Sequence, residues 1–197
     1  MKNLFLLFVI VLTSFCFSQE TPSALMNNLC KFETDGSGKS LGLKIKFVYP
    51  CSWKSIEGNR PHILRKFNYS IDGNLVSQTI SIRQIQENIR QSDISKMLSV
   101  DGMKNSVEGL GTYLNSRKIK IDGIETGEVT FKVEQESVIG KMYMYSLVYM
   151  LVFDGKLISF TFSAGSIDDL KAKQLFDKYE MLFYLLAGKT IIISQWE

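Results

Sequence analysis

Three Asp-Gly dipeptides, each set between two runs of strand-forming residues, constrain the fold of this chain more than any other feature. They are Asp72-Gly73, Asp122-Gly123 and Asp154-Gly155. Asp and Gly tolerate the positive φ that both central residues of a type I′ hairpin turn require. The sequence therefore predicts three β-hairpins, over 62–85, 117–136 and 139–163, and a mainly antiparallel sheet.

Two further stretches read as strands. Residues 43–49 alternate apolar side chains with Lys44 and Lys46, the pattern of a half-buried strand. Pro50 has no N–H to donate, so this strand is predicted to end there. Residues 142–153 are apolar on both faces and predict a central strand covered on both sides. Their methionines and tyrosines fit core packing, with the lining of a ligand cavity as the alternative.

Two segments have helical periodicity. Residues 92–108 are weakly periodic and contain Gly102, whereas 166–187 carry a broad apolar stripe. Ser166 and Asp169 predict a capping box at the start of the second helix, and Gly188 predicts its end. A short final strand is expected over 190–194. Hairpins with separated helices indicate the α+β class.

The N-terminus has the pattern of a secretory signal. Lys2 precedes an apolar run that is too short to span a bilayer, and small residues at 16 and 18 predict cleavage after Ser18. This predicts export through Sec to the periplasm or the extracellular space. The alternative is a lipoprotein acylated at Cys16, which bulky Phe15 disfavours. No later apolar run is long enough to span a membrane.

The net charge argues against a nucleic-acid partner. The full chain carries +3 at pH 7, and loss of Lys2 with the signal lowers this to +2. Binding to phosphates requires a concentrated basic stripe, which this composition does not supply.

Removal of the signal leaves two cysteines, Cys30 and Cys51. In an oxidising compartment, an even pair most simply forms a disulfide. Two free thiols, or a redox or metal role, are the alternatives. A metal site would need further ligands, and His62 is the only histidine.

The stretch FVYPCSWKS, with Phe47, Tyr49, Pro50 and Trp53, and the C-terminal LLAGKTIIIS resemble the PsbP-like family. That family includes the extrinsic photosystem II protein, a nuclear-import factor that binds a small GTPase, and bacterial proteins of unknown role. The resemblance covers about residues 40–194 and implies an α/β/α sandwich. We therefore expect a single domain at 41–197, which follows the signal at 1–18 and an N-terminal segment at 19–40. It implies binding or scaffold roles and offers no catalytic residue to transfer.

The residues themselves offer little catalytic chemistry. His62 is the only histidine, and no nucleophile-elbow pattern is present. The motif AGKT at 187–190 lacks the earlier glycine of a phosphate loop, because residue 183 is Phe. Asp168 and Asp169 fit a helix start better than a metal pair. The sequence therefore predicts neither a cofactor nor a metal.

A basic cluster after Pro50 is the candidate partner-binding region. A loop that combines an aromatic anchor with cations can form a docking surface. These observations predict an exported, non-enzymatic binding or accessory protein of the bacterial envelope, with an unidentified protein partner. The alternative is a small-ligand carrier or a hydrolase that uses His62 and a pocket between sheet and helix. The candidate contact residues are Trp53, Lys54, Arg60, His62 and Arg65, followed by Lys66.

Overall fold

A computed structural model describes residues 21–85, 89–137 and 140–196. The predicted signal at 1–18 therefore lies outside the described residues. The elements in chain order are α1 Pro22–Asn27, β1 Leu29–Glu33, β2 Ile45–Pro50, β3 Lys54–Glu57, β4 Ile63–Ile71, β5 Asn74–Gln84, α2 Gln91–Met97, α3 Val100–Ser106, β6 Thr112–Ile121, β7 Ile124–Ser137, β8 Gly140–Phe153, β9 Lys156–Ser166, α4 Asp169–Gly188 and β10 Ile191–Ile192.

The strands form two antiparallel sheets, as the hairpin pattern predicts. The main sheet has seven strands in the order β3-β4-β5-β9-β8-β7-β6, and the small sheet has the order β1-β2-β10. Helix α4 packs on β8 and β9 from one side, and α3 packs on β6 and β7. These layers confirm the α+β class and the sandwich of sheet between helices.

All three Asp-Gly pairs lie at two-residue turns between paired strands. Asp72, Asp122 and Asp154 have φ values of 48°, 49° and 49°. The glycines that follow them also have positive φ. Both central residues are thus left-handed, as a type I′ turn requires, and each turn fixes the register of its hairpin.

The main core lies between the sheet and α4. Strand β8 alternates across the sheet, with Leu147, Tyr149 and Leu151 buried beneath α4 and Val148 buried on the opposite face. The prediction that 142–153 is a strand with both faces apolar is confirmed, and its aromatic side chains pack in the core. The helix contributes Tyr179, Leu182 and Phe183, each with no exposed surface.

The single helix predicted over 92–108 is wrong. Two short helices, α2 and α3, meet at Leu98 and Ser99. The Ser99 hydroxyl accepts from the Gly102 N–H at 3.1 Å and caps α3. A Cβ at residue 102 would lie 2.2 Å from the Lys96 carbonyl oxygen, so the close approach of the two helices requires glycine there.

The capping box predicted at Ser166 is also wrong. The N-cap of α4 is Asp168, whose carboxylate accepts from the Lys171 N–H at 2.9 Å. Asp169 instead contacts the sheet, where it pairs with Lys132 at 2.7 Å and accepts from the Tyr145 hydroxyl at 2.9 Å. A carboxylate at the N-cap outcompetes the serine because it also favours the positive end of the helix dipole.

The final strand is shorter than the predicted 190–194. Only Ile191 and Ile192 pair with β2, and a 3₁₀ turn follows at Ile193–Gln195. The Asp122 carboxylate accepts from the Ile192 N–H at 2.8 Å and so ties the β6–β7 turn to the C-terminal segment. Asp122 therefore serves both as a turn residue and as an anchor.

The N-terminal segment is part of the same packed unit. Helix α1 contacts α4, and β1 pairs with β2 along five positions. The expected boundary at residue 41 is thus crossed by strand pairing. The predicted pairing of Cys30 with Cys51 is present, with the Cα atoms 4.9 Å apart. This disulfide joins β1 to the turn that follows β2.

We expect reduction of the Cys30–Cys51 disulfide to lower the free energy of unfolding by about 3 kcal/mol, because it releases a closed loop in the unfolded chain. Denaturant unfolding of the double variant Cys30→Ser with Cys51→Ser, compared with the oxidised protein, measures the loss. A difference below about 0.5 kcal/mol would contradict a stabilising role for the disulfide.

An ion pair between β6 and β7 lies at the β6 edge of the main sheet. Arg117 on β6 contacts the Glu128 carboxylate on β7 through two hydrogen bonds, of 2.6 and 3.0 Å. The Glu128 side chain is only 4% exposed, whereas that of Arg117 is 51% exposed. Burial raises the pKa of neighbouring Tyr149, and burial with the nearby Glu128 charge raises that of Tyr184 to about 12. Both phenols are therefore neutral at physiological pH.

Arg117→Ala should lower the free energy of unfolding by about 3 kcal/mol, because it leaves the buried Glu128 carboxylate without its cation. Lys118→Ala is the matched control, since its pair with Glu125 is exposed at the same edge and is worth less than about 1 kcal/mol. Equal losses in urea unfolding of the two variants would overturn this ranking.

Candidate docking surface

The side of the main sheet opposite α4 is covered over only part of its width. Leu98, Met103 and Val107 of the α2–α3 region pack on Val129 and Phe131 of β7 and on Val148 of β8. A Cβ at Gly127 would lie 2.4 Å from the Met103 sulfur, so the helical region sits directly on the backbone of β7. Among the described residues, α3 makes its main sheet contacts with β6 and β7, at the edge opposite β3.

The uncovered strands carry hydroxyl and basic side chains in cross-strand rows. Partners directly opposite each other in an antiparallel pair point to the same face. One row runs from Lys54 through Asn68 and Ser77 to Ser163, and the next from Ile56 through Lys66 and Thr79 to Thr161. We call this surface the hydroxyl face. Its members are Lys54, Ile56, Lys66, Asn68, Ser77, Thr79, Ser81, Arg83, Ser159, Thr161 and Ser163.

Burial follows the same alternation. Val76, Ile80 and Phe160 point toward α4 and have no exposed surface. Thr79 and Thr161, which point the other way, are half-buried. Ser163, at the β9 end of the first row, is buried and shares a hydrogen bond of 2.8 Å with Ser146 on β8. The face is therefore polar, and it offers donors and acceptors to a partner.

Three basic side chains converge at one corner of the hydroxyl face. The Ile82 N–H donates to the His62 carbonyl at 2.9 Å, which sets the start of β4 beside the end of β5. Desolvation lowers the pKa of His62, and the positive charges of Arg83 and Arg60 lower it further. His62 is therefore neutral at physiological pH and can donate or accept a hydrogen bond there.

A groove of about 290 Å³ lies where the hydroxyl face meets the end of α3. Its polar wall is formed by Ser81, Arg83, Ser159 and Thr161. Its apolar wall and floor are formed by Val107, Leu110, Phe131, Val148, Met150 and Leu157, with Ser106 at the rim. The groove thus combines one cation, several hydroxyls and an aliphatic lining.

The predicted contact residues do not all lie on one surface of the structure. Lys54 lies on the hydroxyl face, and Arg60 and His62 lie at its corner. Arg65 points to the α4 side, where its guanidinium lies 4.6 Å from the centre of the Phe32 ring. Trp53 is 3% exposed and stacks on Tyr69, so it is a core residue and presents no surface to a partner.

Sequence reasoning missed the larger part of this surface. Arg83 and the hydroxyls of β5 and β9 belong to the same face as Lys54, although they lie far apart in the chain. The signal was present in two alternating runs, Ser77, Thr79, Ser81 on β5 and Ser159, Thr161, Ser163 on β9. Each run places hydroxyls on the face opposite its apolar residues.

Other clusters of ionisable groups have structural partners. Lys132 bridges Asp169 and Glu134, and its hydrogen bonds to these two carboxylates raise the pKa of the lysine. The hydrogen bond from Lys132 lowers the pKa of Asp169, and hydrogen bonds from Lys141 and Lys132 lower that of Glu134. Within residues 21–85, 89–137 and 140–196, no group of three or more His, Cys, Asp or Glu side chains has the arrangement of a metal site. In the same ranges, no helix is long and apolar enough to cross a membrane.

Comparisons with solved structures identify the fold. LpqN, involved in cell envelope biogenesis of Mycobacterium tuberculosis, aligns with a TM-score of 0.53 and 10% identity, over 88% of this chain and 97% of LpqN. The Ran-binding protein Mog1p of Saccharomyces cerevisiae aligns at 0.48 and 11%, over 84% and 96%. The protein of unknown function PA94 of Pseudomonas aeruginosa aligns at 0.46 and 11%, over 82% and 95%.

No protein-family model and no curated protein sequence matches the chain. The match with LpqN shows that this chain shares its fold, and this agrees with the PsbP-like fold that the sequence resembles. Identities of 10–11% carry no function from one protein to another. The function is therefore argued from the surface of this chain.

His62, the only histidine of the chain, reports on the basic corner. We expect its NMR titration midpoint below the ordinary value of about 6.5. Arg83→Gln should raise the midpoint, because it removes one of the two positive charges that oppose protonation. Lys120→Gln, on β6 at the opposite edge of the sheet, is the control and should leave it unchanged. An unchanged midpoint in Arg83→Gln would show that Arg83 does not lie beside His62.

Proposed function

We propose that this protein is an exported, non-enzymatic binding or accessory protein of the bacterial envelope, and that it binds a protein partner through the hydroxyl face. The observation that carries the proposal is the unequal covering of the main sheet. On the side opposite α4, helices pack over β6 and β7, while the hydroxyl and basic side chains of β3, β4 and β5 extend from the uncovered part.

The physical character of this face suits a protein contact. Arrays of hydroxyls and cations can form many hydrogen bonds across a wide surface, as interfaces between separately folded proteins do. Lys54 and Lys66 project from two neighbouring strands, and Ile56 between them is 37% exposed. A mixed polar and aliphatic surface of this kind supports reversible binding.

Export is supported by three observations. The first 18 residues have the pattern of a signal peptide, and Cys30 and Cys51 form a disulfide. Disulfides persist in oxidising compartments. The third observation is the fold shared with LpqN, a protein involved in cell envelope biogenesis. Periplasmic or extracellular location, with cleavage after Ser18 in preference to acylation at Cys16, is part of this proposal.

One observation favours the carrier or hydrolase alternative. It is the groove of about 290 Å³ between the sheet and α3. Its volume is just below the range of about 300–1,000 Å³ typical of ligand pockets. His62 immediately precedes β4, and β5 and β9 lie between β4 and the Met/Tyr strand β8.

Charge reversal on the hydroxyl face should remove the partner. Full-length tagged protein is captured from the envelope fraction of its source cells, and co-purifying proteins and small molecules are quantified by mass spectrometry. We expect a stoichiometric protein partner to fall at least tenfold in the double variant Lys54→Glu with Lys66→Glu.

The control for this experiment is Lys118→Glu with Lys120→Glu, which places the same charge change on β6 at the opposite edge. It should retain the partner, and thermal unfolding verifies that both variants are folded. Equal capture by the two variants would reject the hydroxyl face as the docking surface. A co-purifying small molecule without a protein partner would favour the carrier alternative.

A further inference from the structure

The groove beside Arg83 has the chemistry of a site for one carboxylate and one aliphatic side chain. Arg83 is exposed at its rim, and Leu157 is its direct cross-strand neighbour on β9. Ser81 and Ser159 form the next cross-strand pair, so two hydroxyls adjoin the guanidinium. Leu110 opposite them is 62% exposed, although it is a large aliphatic residue at the groove wall.

The positive charge of the side chains around the groove favours binding of an acidic group. Lys54 and Lys66 lie on the same face, and Arg60 lies beside His62 at its corner. The groove lining contains no carboxylate among the residues that the structure describes. Among the described residues, Arg83 is exposed and lies close to His62, so the cation adds to the positive charge at this corner.

Arginine is well suited to bind a carboxylate through two parallel hydrogen bonds. Serine and threonine hydroxyls can donate to the same oxygens, since each carboxylate oxygen accepts more than one hydrogen bond. The apolar wall can in addition remove one aliphatic side chain of the partner from water. Together these groups recognise an acidic residue that lies close to an aliphatic one.

We propose that the groove binds an acidic segment of the partner protein, with a Glu or Asp carboxylate on Arg83 and an aliphatic side chain against Leu110, Met150 and Leu157. This inference rests on the proposed function and names the chemistry of its partner. A protein segment fits better than a lipid, because the groove is small and the cations continue across the hydroxyl face to Lys66 and Lys54 on β4 and β3.

Titration of the isotope-labelled protein with a synthetic peptide tests the proposal directly. The probe is an acetylated nonapeptide in which Glu and Leu alternate between Ser spacers, and its matched control replaces each Glu with Gln. We expect the acidic peptide to shift the backbone amide signals of Ser81, Arg83, Leu157 and Ser159. The Gln peptide should bind at least tenfold more weakly.

Arg83→Glu should weaken binding of the acidic peptide at least tenfold, whereas Lys120→Glu, the same charge change at the opposite edge, should leave it within twofold. Equal binding of the two peptides, or unchanged binding by Arg83→Glu, overturns the proposal. Binding of phosphatidylglycerol vesicles that depends on Arg83, with no peptide binding, also overturns it and assigns the groove to a lipid headgroup.

The two proposals fail in different ways. If the envelope partner depends on Lys54 and Lys66 but neither the peptide nor the partner depends on Arg83, the groove inference is wrong and the proposed function stands. If the acidic peptide binds at Arg83 but no envelope protein depends on the hydroxyl face, the proposed function is wrong.

Discussion

The strand register of the central sheet is the constraint on which the rest of the structure depends. Side chains alternate across a strand, so a slip of one residue in the pairing of β5 with β9 would exchange their apolar and hydroxyl faces. The type I′ turns at Asp72 and Asp154 fix the register of the hairpins that contain these strands. Correct register buries Ile80 and Phe160 under α4 and thereby presents Thr79 and Thr161 on the hydroxyl face.

Much of the fold was predictable from the sequence, because several segments have strong local conformational preferences. The sequence correctly predicted the Asp-Gly turns and the pairing of the two cysteines. It also predicted the central strand at 142–153 and the long helix, with bounds that agree within a few residues. The errors occurred where alternatives of similar local energy compete. Ser99 and Gly102 break the helix predicted over 92–108 because two short helices must pack closely on β7. Asp168 displaced Ser166 as the cap because it is the better acceptor at that position.

The candidate surface was less predictable, because neighbours in sequence point to opposite faces of a strand. Lys66 reaches the hydroxyl face, whereas Arg65, one residue earlier, lies against Phe32 on the other side. Trp53 belongs to the core because the turn after β2 folds it onto Tyr69. Arg83 lies at the basic corner only because β4 pairs with β5. This pairing joins residues that are distant in the chain, so no short sequence motif predicts it.

The central claim is that the hydroxyl face is open in the isolated protein and covered by a partner in the envelope. Maleimide labelling of Thr79→Cys, with Lys120→Cys as the control at the opposite edge, measures this accessibility in oxidised full-length protein. The account predicts that both cysteines react readily in isolation and that envelope extract slows labelling at residue 79 alone. Unchanged labelling at residue 79, or protection at residue 120 instead, would contradict it.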